Sequence, residues 1–205
     1  VGGRDALGAM NAAQRHRGPD AEGLWIDAQA PVHLGHQRLS IIDIAGGAQP
    51  MWTADGRVGI VFNGEIYNFA ELRAELLGLG AQFVTDHSDT EVLLQAYRHW
   101  GDECVQRLNG MWAFVIYDRD RRRLFGSRDR FGKKPLYYVD RGELFAFASE
   151  LSALIAHPAV RPSISALALK KYFAYGYIPA PHSIYAGVHK LPGGFSFESR
   201  IDAKA

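Results

Sequence analysis

Four short apolar segments follow one another closely in the second half of the chain, and they constrain its fold more than any other feature. The segments are Met111–Tyr117, Leu124–Arg128, Pro135–Val139 and Leu144–Ala148. They are rich in aromatic and β-branched residues and are joined by short links, which is typical of antiparallel strands in a meander. The apolar runs 32–36, 39–44 and 58–63 predict further strands nearer the start. This density of strands predicts packed antiparallel layers rather than a parallel α/β sheet.

Helical periodicity surrounds these strands. It predicts helices over 5–15, 69–78, 90–99, 149–156 and 165–174. Asp5 and Asn68 are placed to cap the first two helices, and either Ser88 or Asp89 can cap the third. Helices that flank two clusters of strands indicate an α+β fold with helices outside the sheets.

Composition excludes several classes of protein. The chain has 205 residues, of which 47% are hydrophobic and 22% charged, and its net charge is +1. These values predict neither a nucleic acid nor an anionic membrane as partner. No apolar run has the length of a membrane span, and no signal peptide is visible. The basic run 119–123 falls between two predicted strands and is interpreted as a solvated hairpin loop.

The cysteine and histidine content points to neither disulfides nor a metal. The single cysteine, Cys104, excludes a disulfide framework and indicates a reducing compartment. It lies in a predicted helix over 102–108 with no histidine beside it, so we interpret it as a small buried side chain rather than a nucleophile. The eight histidines lack the spacing of a metal site.

The run Ile60–Asn68 contains the strongest functional signal. An apolar, β-prone segment leads into Asn63 and Gly64, followed by the acidic Glu65. One interpretation is a hairpin turn, because Asn-Gly tolerates positive φ. The other is an oxyanion hole, in which the Asn63 amide and the Gly64 N–H donate to one oxygen.

Two more segments carry charges that would suit a free amino acid. Arg38 ends an apolar run and can hold a carboxylate in a bidentate pair, although a surface ion pair is the alternative. Asp89 lies in an acidic cluster at a predicted helix start, where it is either an N-cap or, with Glu65, a receptor for an ammonium group. The segment 126–134 lacks the spacing of a phosphate-binding loop and is interpreted as a structured turn around Arg128 and Asp129.

Taken in order, six segments resemble the glutaminase domain of asparagine synthetases, which are class II glutamine amidotransferases. The segments are Arg15–Asp20, Arg38–Asp43, Phe62–Asn68, Ser88–Val92, Arg128–Tyr138 and Ala148–Glu150. Any one would be weak evidence, but the ordered set is specific. The stretch Tyr172–Pro192 is similar to bacterial members, whereas the sequence after Gly194 shows no resemblance to the family.

The resemblance implies a fold and a set of site residues. The fold is a four-layer αββα sandwich of the N-terminal-nucleophile hydrolase type, with two antiparallel sheets. Arg38 would bind the glutamine carboxylate, and Asp89 with Glu65 would bind its amino group. Asn63 and Gly64 would form the oxyanion hole. The same pocket would be lined by the backbone of Leu39, Ser40, Ile41 and Ile42.

The resemblance also implies a nucleophile that the printed sequence does not contain. In the family this is a cysteine at the mature N terminus, in a strand that would lie just before Val1. We expect that strand to exist upstream, and we expect the printed chain to be inactive alone. Residues 1–175 would form the glutaminase domain and 176–205 a connector toward a synthetase domain of the same polypeptide.

The implied function of such a protein is hydrolysis of glutamine to glutamate and ammonia for ATP-dependent amidation of aspartate. ATP and Mg²⁺ would belong to the synthetase domain, with no cofactor or metal in this one. A cytoplasmic location is expected, and a homodimer is an option. The alternatives are a catalytically dead glutamine-binding or regulatory domain, and the glutaminase domain of another class II amidotransferase.

Overall fold

Ten strands and six α-helices make up the described part of the chain, residues 3–39 and 47–201, in a computed structural model. The strands are β1 (Ala21–Ile26), β2 (His33–Arg38), β3 (Met51–Trp52), β4 (Val58–Ile66), β5 (Gly110–Asp118), β6 (Arg123–Arg128), β7 (Tyr137–Arg141), β8 (Leu144–Ala148), β9 (His189–Lys190) and β10 (Ser196–Arg200). The helices are α1 (Gly3–Ala12), α2 (Phe69–Gly78), α3 (Asp89–Trp100), α4 (Cys104–Arg107), α5 (Leu151–Ala156) and α6 (Ala166–Tyr175). Short 3₁₀ turns cover Arg15–Arg17 and Gly101–Glu103.

A five-stranded antiparallel sheet is the centre of the fold, in the order β10-β6-β5-β4-β3. Its alternating side chains divide between two cores, because successive residues of a strand point to opposite faces. Ile60 and Phe62 pack with α2 and α3 on one face. Val61 and Val115 face the other way.

The second sheet layer covers that other face. Among the described residues it consists of a two-stranded piece, β1-β2, and a three-stranded piece, β8-β7-β9. Leu34 of β2 and Phe147 of β8 both pack in the cluster that contains Val61. Ala146 and Ala148, which alternate with Phe147, instead contact α5, and α1 packs beside α5. The order helix, sheet, sheet, helix confirms the αββα fold predicted from the sequence.

The prediction of one meander over 111–148 was wrong. β5 and β6 belong to the five-stranded sheet, whereas β7 and β8 belong to the other layer. The chain passes from one layer to the other in the segment after Arg128. In this segment the Asp129 carboxylate accepts hydrogen bonds from backbone N–H groups. Its Oδ1 accepts from Phe131 at 3.1 Å and Lys133 at 2.9 Å, and its Oδ2 accepts from Lys134 at 2.9 Å. The interpretation of this segment as a structured turn is confirmed.

Of the predicted helix caps, the one at Asp5 was wrong, and the one at Asn68 is confirmed in position only. Asp5 lies within the first turn of α1 rather than before the helix. Asn68 is the N-cap residue of α2 but makes no capping bond; its side chain instead bonds the Arg107 carbonyl and the Asn109 N–H, so it ties the start of α2 to the segment between α4 and β5. The third cap is Ser88, whose Oγ accepts from the Glu91 N–H at 3.3 Å.

Several elements escaped sequence analysis. β1, β3, β9 and β10 were not predicted, and the predicted strand 39–44 lies outside the described residues except for Leu39, which is in no strand. The basic run 119–123 is not wholly solvated: Arg123 is only 8% exposed and pairs with Asp102 and Glu198. The boundary at residue 175 stays a prediction, although β9 and β10 beyond it pair with β7 and β6. No helix in the described ranges has the length and apolar character needed to cross a membrane.

Candidate functional site

A cavity of about 310 Å³ opens between the two sheet layers where β4 extends past the short β3. Its lining includes every described residue that the sequence assigned to glutamine: Arg38, Leu39, Asn63, Gly64, Glu65 and Asp89. Residues from β2, β4 and the start of α3 therefore converge on one place. Ser40, Ile41 and Ile42, which were predicted to line the same pocket, lie outside the described residues.

Asn63 and Gly64 are not a hairpin turn. Both lie within β4, where they pair with Ala113 and Trp112 of β5. A Cβ on Gly64 would overlap the Met111 carbonyl oxygen and lie 2.9 Å from Trp112 Cα. Glycine is therefore required here by the close approach of β5, not by a positive φ.

The Gly64 N–H lies on the edge of β4 that faces the cavity. Alternate residues of a strand direct their N–H groups to the same edge, so those of Phe62, Gly64 and Ile66 share one edge. The outer two are occupied: the Gln49 Oε1 accepts from Phe62 at 2.6 Å, and the Asp89 Oδ2 accepts from Ile66 at 3.1 Å. No side chain in residues 3–39 or 47–201 accepts from the Gly64 N–H, which leaves this donor directed at the cavity.

The Asn63 side chain enters the cavity from the inner face of the same strand. Its Nδ2 donates to the Ser149 Oγ at 3.4 Å, at the end of β8. The Ser149 N–H in turn donates to the Gln14 Oε1 at 3.2 Å. The amide of Asn63 therefore reaches toward the opposite layer, next to the Gly64 N–H.

Asp89 supplies a buried carboxylate at the first residue of α3. It is 8% exposed, and burial raises its pKa above the usual 3.8, with the nearby charge of Glu65 acting in the same direction. The Ile66 and Thr90 backbone N–H groups oppose this shift. A carboxylate that is costly to ionise in an empty cavity is suited to a cationic ligand, because the ligand's charge restores the stability of the anion.

Arg38 is held by the segment that precedes β1. Its carbonyl accepts from the Asp20 N–H at 3.0 Å. A Cβ on Gly18 would lie 2.6 Å from the Arg38 nitrogen, so a glycine at position 18 lets the two backbones touch. The segment 15–20, noted in the sequence, therefore positions the end of β2.

The same segment is fastened to the far side of the cavity by Glu150. The Glu150 Oε1 accepts from Arg17 Nη1 and pairs with His16 Nε2, both at 3.1 Å. Burial acts to raise the pKa of Glu150, but the bonds from Arg17 and His16 outweigh it and hold the pKa below 4.5. Segments 15–20 and 148–150, which are remote in sequence, thus meet around one site.

Among the residues that line the cavity and that sequence reasoning missed are Gln14, His36, Gln49 and Ser149. Burial lowers the pKa of His36 to about 4, and its Nε2 contacts the Phe62 carbonyl at 3.1 Å, so the neutral ring donates there. Gln14 and Gln49 gave no signal, because each acts through a contact with a distant backbone group. Ser149 lies in one of the six segments that resemble the family, but no role was predicted for it.

Cys104 is remote from this chemistry. It is fully buried in the core between α3 and the five-stranded sheet, and burial raises its pKa to about 12. A thiol of that pKa is not a nucleophile at neutral pH, which confirms its interpretation as a buried filler. No group of side chains in the described ranges could hold a metal ion.

Comparisons with known proteins find similar sequences along nearly the whole chain. A family model of the glutamine amidotransferase domain matches residues 2–204, so the expectation that the resemblance ends at Gly194 was wrong. Asparagine synthetase [glutamine-hydrolyzing] 1 of Bacillus subtilis (strain 168) is 44% identical over 194 residues, covering 94% of this chain and 30% of that protein. The putative asparagine synthetase [glutamine-hydrolyzing] 2 of Methanocaldococcus jannaschii is 41% identical over 207 residues, covering 92% of this chain and 39% of that protein.

A solved structure shares the fold. The glutamine phosphoribosylpyrophosphate amidotransferase from B. subtilis superposes with a TM-score of 0.58 at 20% identity, over 78% of this chain and 42% of that one. The chain spans about a third of the length of the sequence relatives, which are 30% and 39% covered.

Proposed function

The chain belongs to the glutamine amidotransferase family, and on this premise we propose that its cavity binds L-glutamine and orients the side-chain amide for hydrolysis. The observation that supports this is the convergence of Arg38, two carboxylates and the free donor edge of β4 on a single cavity. These groups match the three polar parts of glutamine. A cavity of about 310 Å³ is at the lower end of the range for small-molecule sites.

Each polar part of glutamine has a matching group. Arg38 pairs with the α-carboxylate, and Asp89 with Glu65 pairs with the α-ammonium. The Gly64 N–H and the Asn63 amide donate to the side-chain carbonyl oxygen. When that carbonyl is attacked, its oxygen becomes an anion, and the same donors bind it more strongly than the neutral carbonyl.

The nucleophile we propose is a cysteine upstream of Val1, which the family resemblance implies. Its thiolate forms a bond to the amide carbon while the π electrons move to oxygen. Collapse of this adduct expels the nitrogen, which takes up a proton and leaves as ammonia, and water then releases glutamate from the thioester. Cys104 cannot serve, because it is buried in another part of the molecule.

We propose that the ammonia is used in a second domain. The relatives are named as asparagine synthetases and are about three times as long as the matched region. ATP-dependent amidation of aspartate, with ATP and Mg²⁺ bound in that domain, is the acceptor reaction that their names suggest. A cytoplasmic location and a homodimer remain predictions.

The binding site is tested by NMR titration of the ¹⁵N-labelled chain with L-glutamine and three analogues that each lack one polar part. The analogues are L-norleucine, glutaramic acid and 4-aminobutanamide, which lack the amide, the amino group and the carboxylate respectively. We expect glutamine to shift the Gly64 amide and each analogue to bind about tenfold or more weakly, because a receptor group is left unpaired. Equal binding of all four, or of none, would exclude the proposed site.

The catalytic role is tested in the longer protein. Asn63→Ala is expected to slow glutamine-dependent synthesis by about 10²–10³-fold and to spare synthesis from free ammonia, since one oxyanion donor is lost. Equal loss of both activities would refute that role. The codons upstream of Val1 separate an enzyme from a glutamine-binding domain without catalysis: a cysteine directly after the initiator methionine supports the enzyme.

A further inference from the structure

The free edge of β4 is completed by a side chain rather than by a strand. β3 pairs with β4 only at Ile60 and Gly59. Beyond that point, the Gln49 Oε1 accepts from the Phe62 N–H at 2.6 Å and the Gln49 Nε2 donates to the Phe62 carbonyl at 3.1 Å. A side-chain amide offers the same donor and acceptor as a peptide group, so Gln49 takes the place of one residue of a missing strand.

From this geometry we infer that Gln49 is a positioning residue for the oxyanion hole, an inference that rests on the proposed function. Gly64 lies two residues, about 7 Å, beyond Phe62 on the same edge. The Gln49 amide holds Phe62, and the Asp89 carboxylate holds Ile66. The Gly64 N–H between them is thereby aimed into the cavity before any ligand arrives.

The backbone of Gln49 is itself fixed. A Cβ on Gly23 of β1 would overlap the Gln49 carbonyl oxygen and lie 3.1 Å from Pro50 Cδ. The chain at position 49 therefore rests directly on the backbone of β1, which no other residue type at position 23 would allow. This contact limits where the Gln49 side chain can reach.

Gln49 could have a purely structural role, which would be to pair with the backbone N–H and carbonyl of Phe62. The other contacts of the Phe62 carbonyl show that this role is not the full explanation. That oxygen is also contacted by His36 Nε2 at 3.1 Å, so it keeps a donor when Gln49 is removed. Only the Phe62 N–H depends on Gln49 for its described acceptor. Losing Gln49 is therefore expected to leave the Phe62 N–H without this acceptor and to change the direction of the strand edge, whereas the Phe62 carbonyl keeps His36 as a donor.

The experiment compares Gln49→Met with Gln95→Met by NMR titration. Gln95 lies on α3, and its Nε2 donates to the Gln82 carbonyl at 3.0 Å, away from the cavity, so it controls for the loss of a glutamine amide. For Gln49→Met we expect glutamine to bind about five- to tenfold more weakly, while L-norleucine, which has no carbonyl for the Gly64 N–H, changes by less than about twofold. The shift of the Gly64 amide on glutamine binding should shrink as well. Gln95→Met should change none of these.

A second variant protects the test against a folding defect. Gln49→Glu keeps an acceptor for the Phe62 N–H, so we expect its preference for glutamine over norleucine to lie between those of the wild type and Gln49→Met. An unchanged preference in Gln49→Met, or equal weakening of both ligands, would overturn the role of Gln49 alone. A wild-type chain that does not prefer glutamine over norleucine would instead refute the proposed function, and this role with it.

Discussion

The Asp89 carboxylate accepts a hydrogen bond of 3.1 Å from the Ile66 backbone N–H, which joins the first residue of α3 to the last residue of β4. One oxygen of this buried carboxylate therefore holds the strand that carries Gly64. The same residue lines the cavity where the ammonium group of a ligand would bind. Under the proposed function, ligand binding and strand placement thus depend on a single side chain.

Replacing Asp89 by Asn is expected to weaken glutamine binding and yet to stabilise the empty protein. The folded-state pKa of Asp89 is raised by burial, so its ionisation at neutral pH opposes folding. Asn can still accept from Ile66 and carries no charge, so urea denaturation at pH 7 should show a gain on the order of 1 kcal/mol. The gain should shrink as pH falls through the raised pKa. An Asp89→Asn chain less stable than wild type at pH 7 would contradict this account.

The affinity for glutamine should depend on pH through the same group. An ammonium ligand favours the ionised form of Asp89, so binding releases a proton wherever Asp89 is protonated in the empty site. Titrations should give a constant affinity above the raised pKa, which lies above 3.8, and a loss of about tenfold per pH unit below it. In Asp89→Asn this dependence should become weaker, because Glu65 is then the remaining carboxylate beside the ammonium group. An affinity that rises on acidification would show that Asp89 does not face the ammonium.

Gly64→Ala should destabilise the chain strongly, by about 3 kcal/mol or more, because its methyl group would overlap the backbone of β5. The matched control is Gly8→Ala within α1, where an added Cβ meets nothing within 4 Å. That control should stabilise the chain by about 0.5–1 kcal/mol, since alanine favours helix. Thermal denaturation of both variants measures the difference. Similar melting temperatures would mean that the β4 and β5 backbones are not in close contact at Gly64.

His36 should make the protein sensitive to mild acid. Burial lowers its pKa from 6.5 to about 4, and the charge of Arg38 contributes, while the bond to the Phe62 carbonyl opposes the shift. The pKa of His36 is lower in the folded state than in the unfolded state. The free energy of unfolding is therefore at its full value above pH 6.5 and decreases as pH falls from 6.5 toward 4. The loss should be about 2–3 kcal/mol in the free energy of unfolding.

The His36 contribution is isolated with His36→Gln, which retains a donor for Phe62 but does not titrate. Its unfolding free energy should fall less over this pH range than that of the wild type. His99→Gln, at an exposed position on α3, should behave as the wild type does. A parallel pH dependence in all three chains would rule out His36 as the cause.

Asp129→Asn should unfold the turn between the two layers more easily. The carboxylate is 1% exposed; burial acts to raise its pKa, but four backbone N–H groups, led by that of Lys134, outweigh this and lower it. An Asn side chain would turn its own N–H₂ toward some of these donors, at a cost of about 2–4 kcal/mol at pH 7. Asp140→Asn, at an exposed position, is the control and should be nearly neutral.

The stabilisation by the Asp129 carboxylate is expected to be lost only in a particular pH range. Since the folded-state pKa lies below 3.8, the stabilisation is present above 3.8 and is lost as pH falls through the folded value. The difference in unfolding free energy between wild type and Asp129→Asn should therefore narrow only in strong acid. If this difference in unfolding free energy already narrows between about pH 6 and 5, the stabilisation belongs to another titratable group.

Local patterns in the sequence predicted the layers and the charged groups of the site. The apolar run 58–63 predicted most of β4, and the charges at Arg38 and Asp89 predicted two walls of the cavity. The Asn63-Gly64 pair was ambiguous because its glycine is required by Met111, which lies far along the chain. No local rule distinguishes that contact from a turn.

Other features depend on partners that are remote in sequence. Arg123 lies in a basic run that is typical of a loop. It is nevertheless buried, because Asp102 and Glu198 from other elements form ion pairs with it. The eight residues between β6 and β7 are long enough either to turn within one sheet or to cross to another, and the backbone bonds to Asp129 accompany the crossing. Gln49 acts only through a backbone group 13 positions away, which no periodicity reveals.

Gly18, Gly23 and Gly64 each mark a place where one backbone lies directly against another near the cavity. A larger residue at any of them would first impair folding and only then recognition. A descendant that had abandoned catalysis would accordingly be free to lose Asn63 or Arg38 but not these glycines. Relatives that retain all three glycines and lack the polar groups would be former enzymes, and the order in which those groups disappeared would record how the activity was lost.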